Sequence, residues 1–389
     1  MLLTKEVTIY RKKYSYLAIA WFMLAAIGAL LKIRIGRETM GDYVIFTNAF
    51  WHAVHQISLY QIYPAEKVGS YLYGPLFSIF IAPFSLMPFY VGAFMWCIIN
   101  AGLLFLAIRL LPLNYKSQQI ILAVSLIEMM TCIENMEINC LIAAFIILSY
   151  LHVERRKDFW AAFFIAAGFL LKLYGIVGIS FFLFSKNKLS FALSFAFWML
   201  VLFLLPMVIS SPAYILLCYP EWYHTLVAKN ALNHDSIMQN ISIMGMLSHI
   251  FNIKGINAEI LMGAALFYAL PLLRIKEYTN ARFRLTYLAF LLIGIVIFSS
   301  AAESPTYIIA MSGAGIWFSY QNLQNRTIFS LLIFSLLITS LSSTDFFPSY
   351  LKSEYIKPYS LKVLPMIFLW IVIAWQLLFR KFKLAQEAN

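Results

Sequence analysis

Charge is scarce in this sequence: Asp, Glu, Lys and Arg make up 12% of 389 residues, while 62% are hydrophobic. Soluble domains carry about a quarter of their residues charged, so that class is excluded. The mean hydropathy of +0.80 says the same. There is no Gly-rich phosphate-cradling loop ending in Gly-Lys-Ser/Thr, and no His-Glu-x-x-His zinc motif. The four cysteines (Cys97, Cys132, Cys140 and Cys218) show no Cys-x-x-Cys spacing, and three of them lie in apolar segments. Buried thiols are the expectation, with a Cys132–Cys140 bridge as the alternative. The apolar stretch from Tyr14 to Ile33 follows a basic N-terminus but lacks a small-x-small cleavage site, so it reads as a retained anchor. No internal repeat stands out, which argues against the repeat-built secondary transporters.

What is present is a set of long apolar runs. A spanning helix needs about 20 apolar residues. Segments 15–33, 90–110, 118–133, 138–153, 189–210, 256–273, 285–301, 305–320, 327–343 and 360–379 qualify, several of them short enough to suggest tilted or broken helices. The expected fold is an all-α polytopic membrane protein, a single integral-membrane domain over 1–389 with about 12 crossings. Re-entrant helices and exterior amphipathic helices are expected to complete it. The loops sort by charge. Arg11-Lys12-Lys13, Arg155-Arg156-Lys157, Lys186/Lys188, Arg274/Lys276/Arg282/Arg284 and Arg380-Lys381/Lys383 fall on one side. Glu38, Asp42, Glu66, Glu134, Glu137, Glu221, Asp235, Glu303, Asp345 and Glu354 fall on the other. About two-thirds of the cations and about two-thirds of the carboxylates separate in this way, and the positive-inside bias makes the first side cytoplasmic. Both termini are then cytoplasmic and the polar chemistry faces the exterior, the periplasm of a bacterial inner membrane. The net charge of +12 is a topology signal of this kind and does not point to nucleic acid.

Two stretches need special topology. Residues 158–185 are basic at both ends, with Lys172 in the middle, so a hairpin of two short helices with its tip at Lys172 satisfies the charge rule. Residues 75–88 contain Pro75, Pro83 and Pro88. Parity with Arg109 and Lys116 favours a segment that dips into the membrane and returns, or lies at the interface; a full crossing is the alternative. The exterior loops 34–74 and 211–255 are long. The first carries Asp42 through His55 at helical spacing, an expected interfacial amphipathic helix.

Several exterior residues could carry chemistry. Asp42 lies at the start of that helix, where it is either a cap or a general base acting on a hydroxyl. Glu134, Glu137 and Asn139 crowd one short turn, as a solvated loop or as the wall of a polar pocket. Lys172 either snorkels or offers its ammonium to a phosphate. Glu303, in Glu303-Ser304-Pro305-Thr306-Tyr307, begins a helix, where a carboxylate favourable to the dipole is the simplest reading. His52 and His55 could form a metal pair, but exposed interfacial histidines are the better expectation.

These motifs together resemble glycosyltransferase family 87 of the GT-C superfamily, over most of residues 36–320. The family's first-loop aspartate matches Gly41-Asp42-Tyr43 through Ala49, and its Tyr-x-Pro-Pro stretch matches Tyr73-Gly74-Pro75, glycine replacing the first proline. Its Gly-Gln-x-Asn falls on Met136-Glu137-Ile138-Asn139, keeping only the asparagine, and its small-residue helix ending in lysine matches Ala166 to Lys172. Its later Asn-Gln-Ser matches Asn240-Ile241-Ser242. The resemblance implies an inverting transferase that takes a sugar, usually mannose, from a polyprenyl-phosphate donor in the membrane lipid. The acceptor would be a hydroxyl of a glycolipid or glycan of the cell envelope. It implies Asp42 as the base, Lys172 opposite the phosphate, and Glu137, His224, Asn240 and Glu303 at the sugar hydroxyls. Tyr43, Tyr73, Asn139 and Tyr307 complete the implied substrate-binding set. No cofactor or metal is expected. The competing readings are a transporter or flippase of a lipid-linked or anionic substrate, and an exterior-face polysaccharide polymerase or ligase. Exterior arginines are confined to Arg34 and Arg37, which disfavours the last.

Overall fold

The computed structural model describes residues 6–9, 12–233, 236–253 and 255–382. Arg11, Asp235 and Lys383 lie outside the described residues. A short antiparallel hairpin, β1 (Glu6–Ile9) and β2 (Lys12–Ser15), precedes the first helix, and the remaining regular elements among the described residues are helices. In chain order come α1 (Tyr16–Ile35), α2 (Gly41–His55), α3 (Leu76–Phe80), α4 (Ala82–Ser85), α5 (Phe89–Leu110), α6 (Tyr115–Glu134), α7 (Asn139–Glu154) and α8 (Asp158–Leu171). After a 3-10 stretch (Leu173–Phe184) follow α9 (Lys188–Leu204), α10 (Pro212–Asn233), α11 (Ile243–Phe251), α12 (Asn257–Ala269), α13 (Ala281–Ile297) and α14 (Tyr307–Phe318). The chain closes with α15 (Arg326–Phe334), the short α16 (Ser349–Leu351) and α17 (Leu364–Phe379). Side-chain oxygens start several of these helices: Asn187, Ser242, Asn280 and Asn325 accept from the first free backbone N–H groups of α9, α11, α13 and α15.

The protein is a polytopic membrane protein. Among the described residues, six helical stretches are long and apolar enough to cross a bilayer: Tyr16–Ile35, Phe89–Leu110, Tyr115–Glu134, Lys188–Val208, Arg326–Ser343 and Leu361–Phe379. Shorter apolar helices, α7 and α8 among them, add to these. The proline-rich stretch forms α3 and α4, which with Ile81 between them span ten residues. At 1.5 Å per residue they rise about 15 Å, half of what a hydrocarbon core of about 30 Å demands. The loop expected at 211–255 is mostly helix, because α10 continues through Pro220.

The contacts divide the chain into two compact units. One holds Pro112–Thr131 and Leu232–Asn389 with the first 17 residues; the other holds Ala18–Leu111 and Cys132–Ala231. Within the first, α13 and α14 pack face to face, and Gly313 lets them approach: a Cβ there would sit 2.8 Å from the Leu292 Cβ. Gly315 serves the same end against α6, where a Cβ would lie 3.0 Å from the Ile121 Cα. Lipid tails are as apolar as these side chains, so helices in a bilayer are held by such close packing.

Within the second unit, residues 158–185 form the expected hairpin, and its two arms pair in a constant register. Ser185 Oγ donates to Asp158 Oδ2 at 2.9 Å across the base. A Cβ on Gly178 would meet Ile165 Cγ1 at 2.9 Å, and one on Gly175 would meet the Gly168 carbonyl carbon at 2.3 Å. The chain reverses at Lys172, which leaves helical geometry for an extended one. One face of α2 packs inward through Tyr43, Phe46, Phe50 and Ala53, while Trp51, Val54 and His55 face outward. Phe46 carries most of that contact, with ring centroids 5.0 Å from Tyr73, 4.7 Å from Phe77 and 5.7 Å from Trp96.

Candidate active site

Three segments of the second unit converge at the hairpin tip. The turn between α6 and α7 is pinned from α5, whose Trp96 Nε1 donates to the Met136 carbonyl at 2.7 Å. Met136 adopts a left-handed backbone to make that turn. The turn is neither wholly solvated nor wholly a pocket wall. Glu134 and Asn135 are exposed, whereas Glu137 and Asn139 are buried. Cys132 Sγ lies 3.4 Å from the Glu137 carbonyl, and all four cysteines are free.

The second segment is Tyr71 to Pro75. Gly74 N–H donates to the Leu171 carbonyl at 3.2 Å. A Cβ on Gly74 would lie 1.9 Å from the Leu170 carbonyl oxygen. Only glycine fits, and a proline at this place would have no N–H to donate. The replacement of the motif's first proline is thereby explained. Tyr71 Oη donates to the Gly74 carbonyl at 3.0 Å and Tyr60 Oη to the Tyr73 carbonyl at 3.1 Å, which fixes the strand-like run.

The third segment is the tip itself. Lys172 Nζ donates to Asn139 Oδ1 at 2.8 Å and lies 3.5 Å from Glu137 Oε2. Tyr73 Oη donates to the same Glu137 oxygen at 2.9 Å, and the Ile138 N–H reaches it at 3.2 Å. The ammonium also lies 5.3 Å from the Tyr73 ring centre and 5.6 Å from that of Tyr174. A charge-assisted pair is usually 2.7–2.9 Å long, so Lys172 rests mainly on the amide and only loosely on the carboxylate. Its side chain keeps 20% exposure. Asn139 Nδ2 is buried with no hydrogen-bond partner. A buried donor left unpaired is costly, and such groups concentrate where a ligand supplies the missing acceptor.

Tyr73, Glu137, Asn139 and Lys172 are therefore brought together. The other residues singled out from the sequence lie elsewhere. Asp42 is half-buried in the first turn of α2. Its neighbour Tyr43 is fully buried and donates to the Phe84 carbonyl at 3.2 Å. His224 is exposed on α10. In the first unit, Asn240, Glu303 and Tyr307 surround a single backbone joint. Tyr307 Oη donates to the Ile241 carbonyl at 2.8 Å, and the Ile241 N–H donates to the Ala302 carbonyl at 2.7 Å. Asn240 Oδ1 accepts from Ser242 Oγ at 2.6 Å, and Glu303 forms a capping box with Thr306. His52 departs from expectation. It is buried, because Glu66 from beyond the helix pairs with its Nε2 at 2.7 Å; His55 alone is exposed. Among the described residues no three His, Cys, Asp or Glu side chains converge on one point.

One ion pair escapes sequence reasoning altogether. In the first unit Lys362 Nζ lies 2.8 Å from Glu128 Oε1, both side chains almost wholly buried. Lys362 also donates to Ser304 Oγ at 2.7 Å and Ser343 Oγ at 2.6 Å. The available signal was a lone carboxylate inside the apolar run 118–133, since ionisable groups in such runs are rare without a partner.

The description of glycosyltransferase family 87 matches residues 71–300, more than half of the chain. The chain belongs to glycosyltransferase family 87. This family 87 protein is thus a membrane glycosyltransferase, consistent with the GT-C superfamily. The matched residues include the whole Lys172 cluster, His224 and Asn240, and they begin after Asp42 and end before Glu303 and Tyr307. The match covers most of residues 36–320, the range over which the motifs resemble the family. No curated protein matches the chain.

Proposed function

We propose that the protein transfers a sugar, mannose by family precedent, from a polyprenyl-phosphate donor to a hydroxyl of a lipid-linked or envelope glycan. The reaction would take place on the exterior face of a bacterial inner membrane, with both termini in the cytoplasm. The observation that carries the reading is the partly exposed Lys172 ammonium, presented by Asn139 and Glu137 inside a family 87 chain. Opposite a departing phosphate such a cation offsets the charge that develops as the bond breaks. The acceptor oxygen attacks the anomeric carbon, the bond to phosphate oxygen breaks, and configuration inverts. Polyprenyl phosphate leaves with the electron pair, and Asp42 takes the acceptor's proton. The scheme invokes no metal or other cofactor, because a lipid monophosphate leaving group can be balanced by one lysine. Glu137, Asn139 and Tyr73 would meet the sugar hydroxyls, with His224 as a further contact inferred from the resemblance.

The test uses purified protein in lipid nanodiscs with a panel of polyprenyl-phosphate sugars and an envelope glycolipid extract. Release of polyprenyl phosphate by the wild type is the expected result, and the donor that supports it names the sugar. No release from folded protein with any donor would favour a transporter.

A further inference from the structure

The base of the hairpin, at the opposite end from Lys172, gathers cations from two loops. Arg155, Arg156 and Lys157 run into Asp158, and Lys186 and Lys188 follow Ser185. The Asp158–Ser185 hydrogen bond of 2.9 Å holds the two runs together, and all five basic residues are exposed. A basic end is what the positive-inside bias asks of any polytopic protein, so charge alone does not make a site. What sets this cluster apart is how much of it is unused. In the first unit Arg274 donates to the Leu377 carbonyl and to Glu277, Arg282 to the Tyr320 carbonyl and Arg284 to the Tyr278 carbonyl. At the hairpin base Lys188 is engaged in the same manner, its Nζ 2.6 Å from the Phe182 and Leu183 carbonyls and 2.7 Å from that of Ser185. Arg155 gives one Nη to the Leu110 carbonyl at 3.1 Å. Arg156, Lys157 and Lys186, by contrast, make no side-chain hydrogen bond or ion pair among the described residues. The neighbouring carboxylates on these loops are Glu154, half-buried, and Asp158, buried and turned to Ser185. Arg156 also occupies a turn position with φ of 55°, where glycine is the unstrained residue, so the chain keeps a guanidinium here against the preference of its backbone.

The surface that follows along the chain is aromatic. Phe159 and Trp160 are exposed at the start of α8, and Trp198 of α9 packs on both, its ring 5.0 Å from Phe159 and 6.1 Å from Trp160. The Trp198 Nε1 donates to the Phe159 carbonyl at 3.0 Å, which fixes the rings in place. Indoles so placed mark the level at which lipid head groups give way to acyl chains. Cations from two loops, unpartnered by the protein and bordered by exposed indoles, match the charge and the tail of an anionic lipid. We propose that the hairpin base binds one anionic phospholipid of the surrounding bilayer. Arg156, Lys157 and Lys186, with the remaining N–H groups of Arg155, hold the head-group phosphate, and the Trp160–Trp198 face receives the upper part of an acyl chain. The proposal concerns the far end of the hairpin from Lys172, so it stands or falls apart from the transfer of a sugar.

Native mass spectrometry of the full chain in detergent, titrated with single lipids, measures the binding. Dioleoylphosphatidylglycerol is the anionic probe and dioleoylphosphatidylcholine the zwitterionic one. The wild type binds a first phosphatidylglycerol with a Kd at least tenfold below that for phosphatidylcholine. The combined variant Arg156→Gln, Lys157→Gln, Lys186→Gln raises the phosphatidylglycerol Kd at least tenfold and leaves the phosphatidylcholine Kd within twofold. A charge-matched control, Lys116→Gln with Lys276→Gln and Lys381→Gln, removes three exposed lysines elsewhere and leaves both values within twofold. If the combined variant does not fold, Arg156→Gln and Lys186→Gln are measured singly, each with a threefold loss expected. Equal affinity of the wild type for the two lipids, unchanged binding in the hairpin variants, or an equal loss in the control would each overturn the proposal. So would displacement of the lipid by an equimolar amount of glycerol 3-phosphate, since a soluble phosphate would then suffice.

Discussion

The Lys172 ammonium and the Asn139 amide oxygen stand 2.8 Å apart, and they come from two different turns that reach the same point. Asn139 opens α7, and Lys172 closes α8. Since Glu137 is the looser partner at 3.5 Å, the lysine can swing toward an anion without leaving a buried carboxylate bare, because Tyr73 and the Ile138 N–H stay on that oxygen. Replacing Lys172 by Met should lower kcat by about 10²–10³, the cost of removing one preorganised stabiliser of developing charge. Polyprenyl-phosphate release in nanodiscs measures it, and a variant within threefold of wild type would exclude the lysine from that role.

Asp42 should behave differently. Asp42→Asn is expected to abolish transfer while leaving the melting temperature and elution profile unchanged, since the amide keeps the shape and loses the base. Turnover retained by the variant would assign the base elsewhere.

Gly74 is a packing constraint. Gly74→Ala and Gly74→Pro both place a carbon against the Leu170 carbonyl, and the proline also loses the bond to Leu171. Overpacking costs about 1–3 kcal/mol and more where backbone must move, so both variants should melt earlier, the proline more so. Thermal unfolding followed by size exclusion reads this directly. A proline variant as stable as wild type would refute the account of why this chain departs from the family motif.

The Glu128–Lys362 pair makes a third kind of prediction. Breaking one half of a buried pair typically costs about 3–5 kcal/mol, because the other charge is stranded. Lys362→Met alone should therefore destabilise strongly, and Lys362→Met with Glu128→Gln should recover much of the loss. Equal melting temperatures for single and double variants would show that the pair is not coupled.

The chain reversal at Lys172 was legible because basic clusters at both ends of 158–185 leave only one topology that keeps them on one side. The break at 75–88 was legible from its prolines, and the structure gives two helices there too short to span. Glu137 and Asn139 could be singled out for crowding, but their split from Glu134 could not, since it depends on Trp96 pulling the turn inward. The His52–Glu66 and Glu128–Lys362 pairs were hidden for the same reason. Each joins residues whose proximity follows from tertiary packing, and no local period or spacing encodes it. Tyr43 and Tyr307 were attractive by motif, yet both spend their hydroxyls on backbone carbonyls.

The constant register of the hairpin turns it into a depth gauge. Its helical arm has 14 residues and its 3-10 arm 12, and at about 1.5 and 2.0 Å per residue they reach about 21 and 24 Å. The tighter coil thus lets a shorter stretch of chain match the longer one, and both stop short of a bilayer core of about 30 Å. With the Asp158–Ser185 clasp fixing the base, the tip lysine is held at a set distance from it. The arm lengths, about 21 and 24 Å, therefore set how far the lysine stands from its clasp, so lengthening one arm without the other would shift the register that brings Lys172 to Asn139.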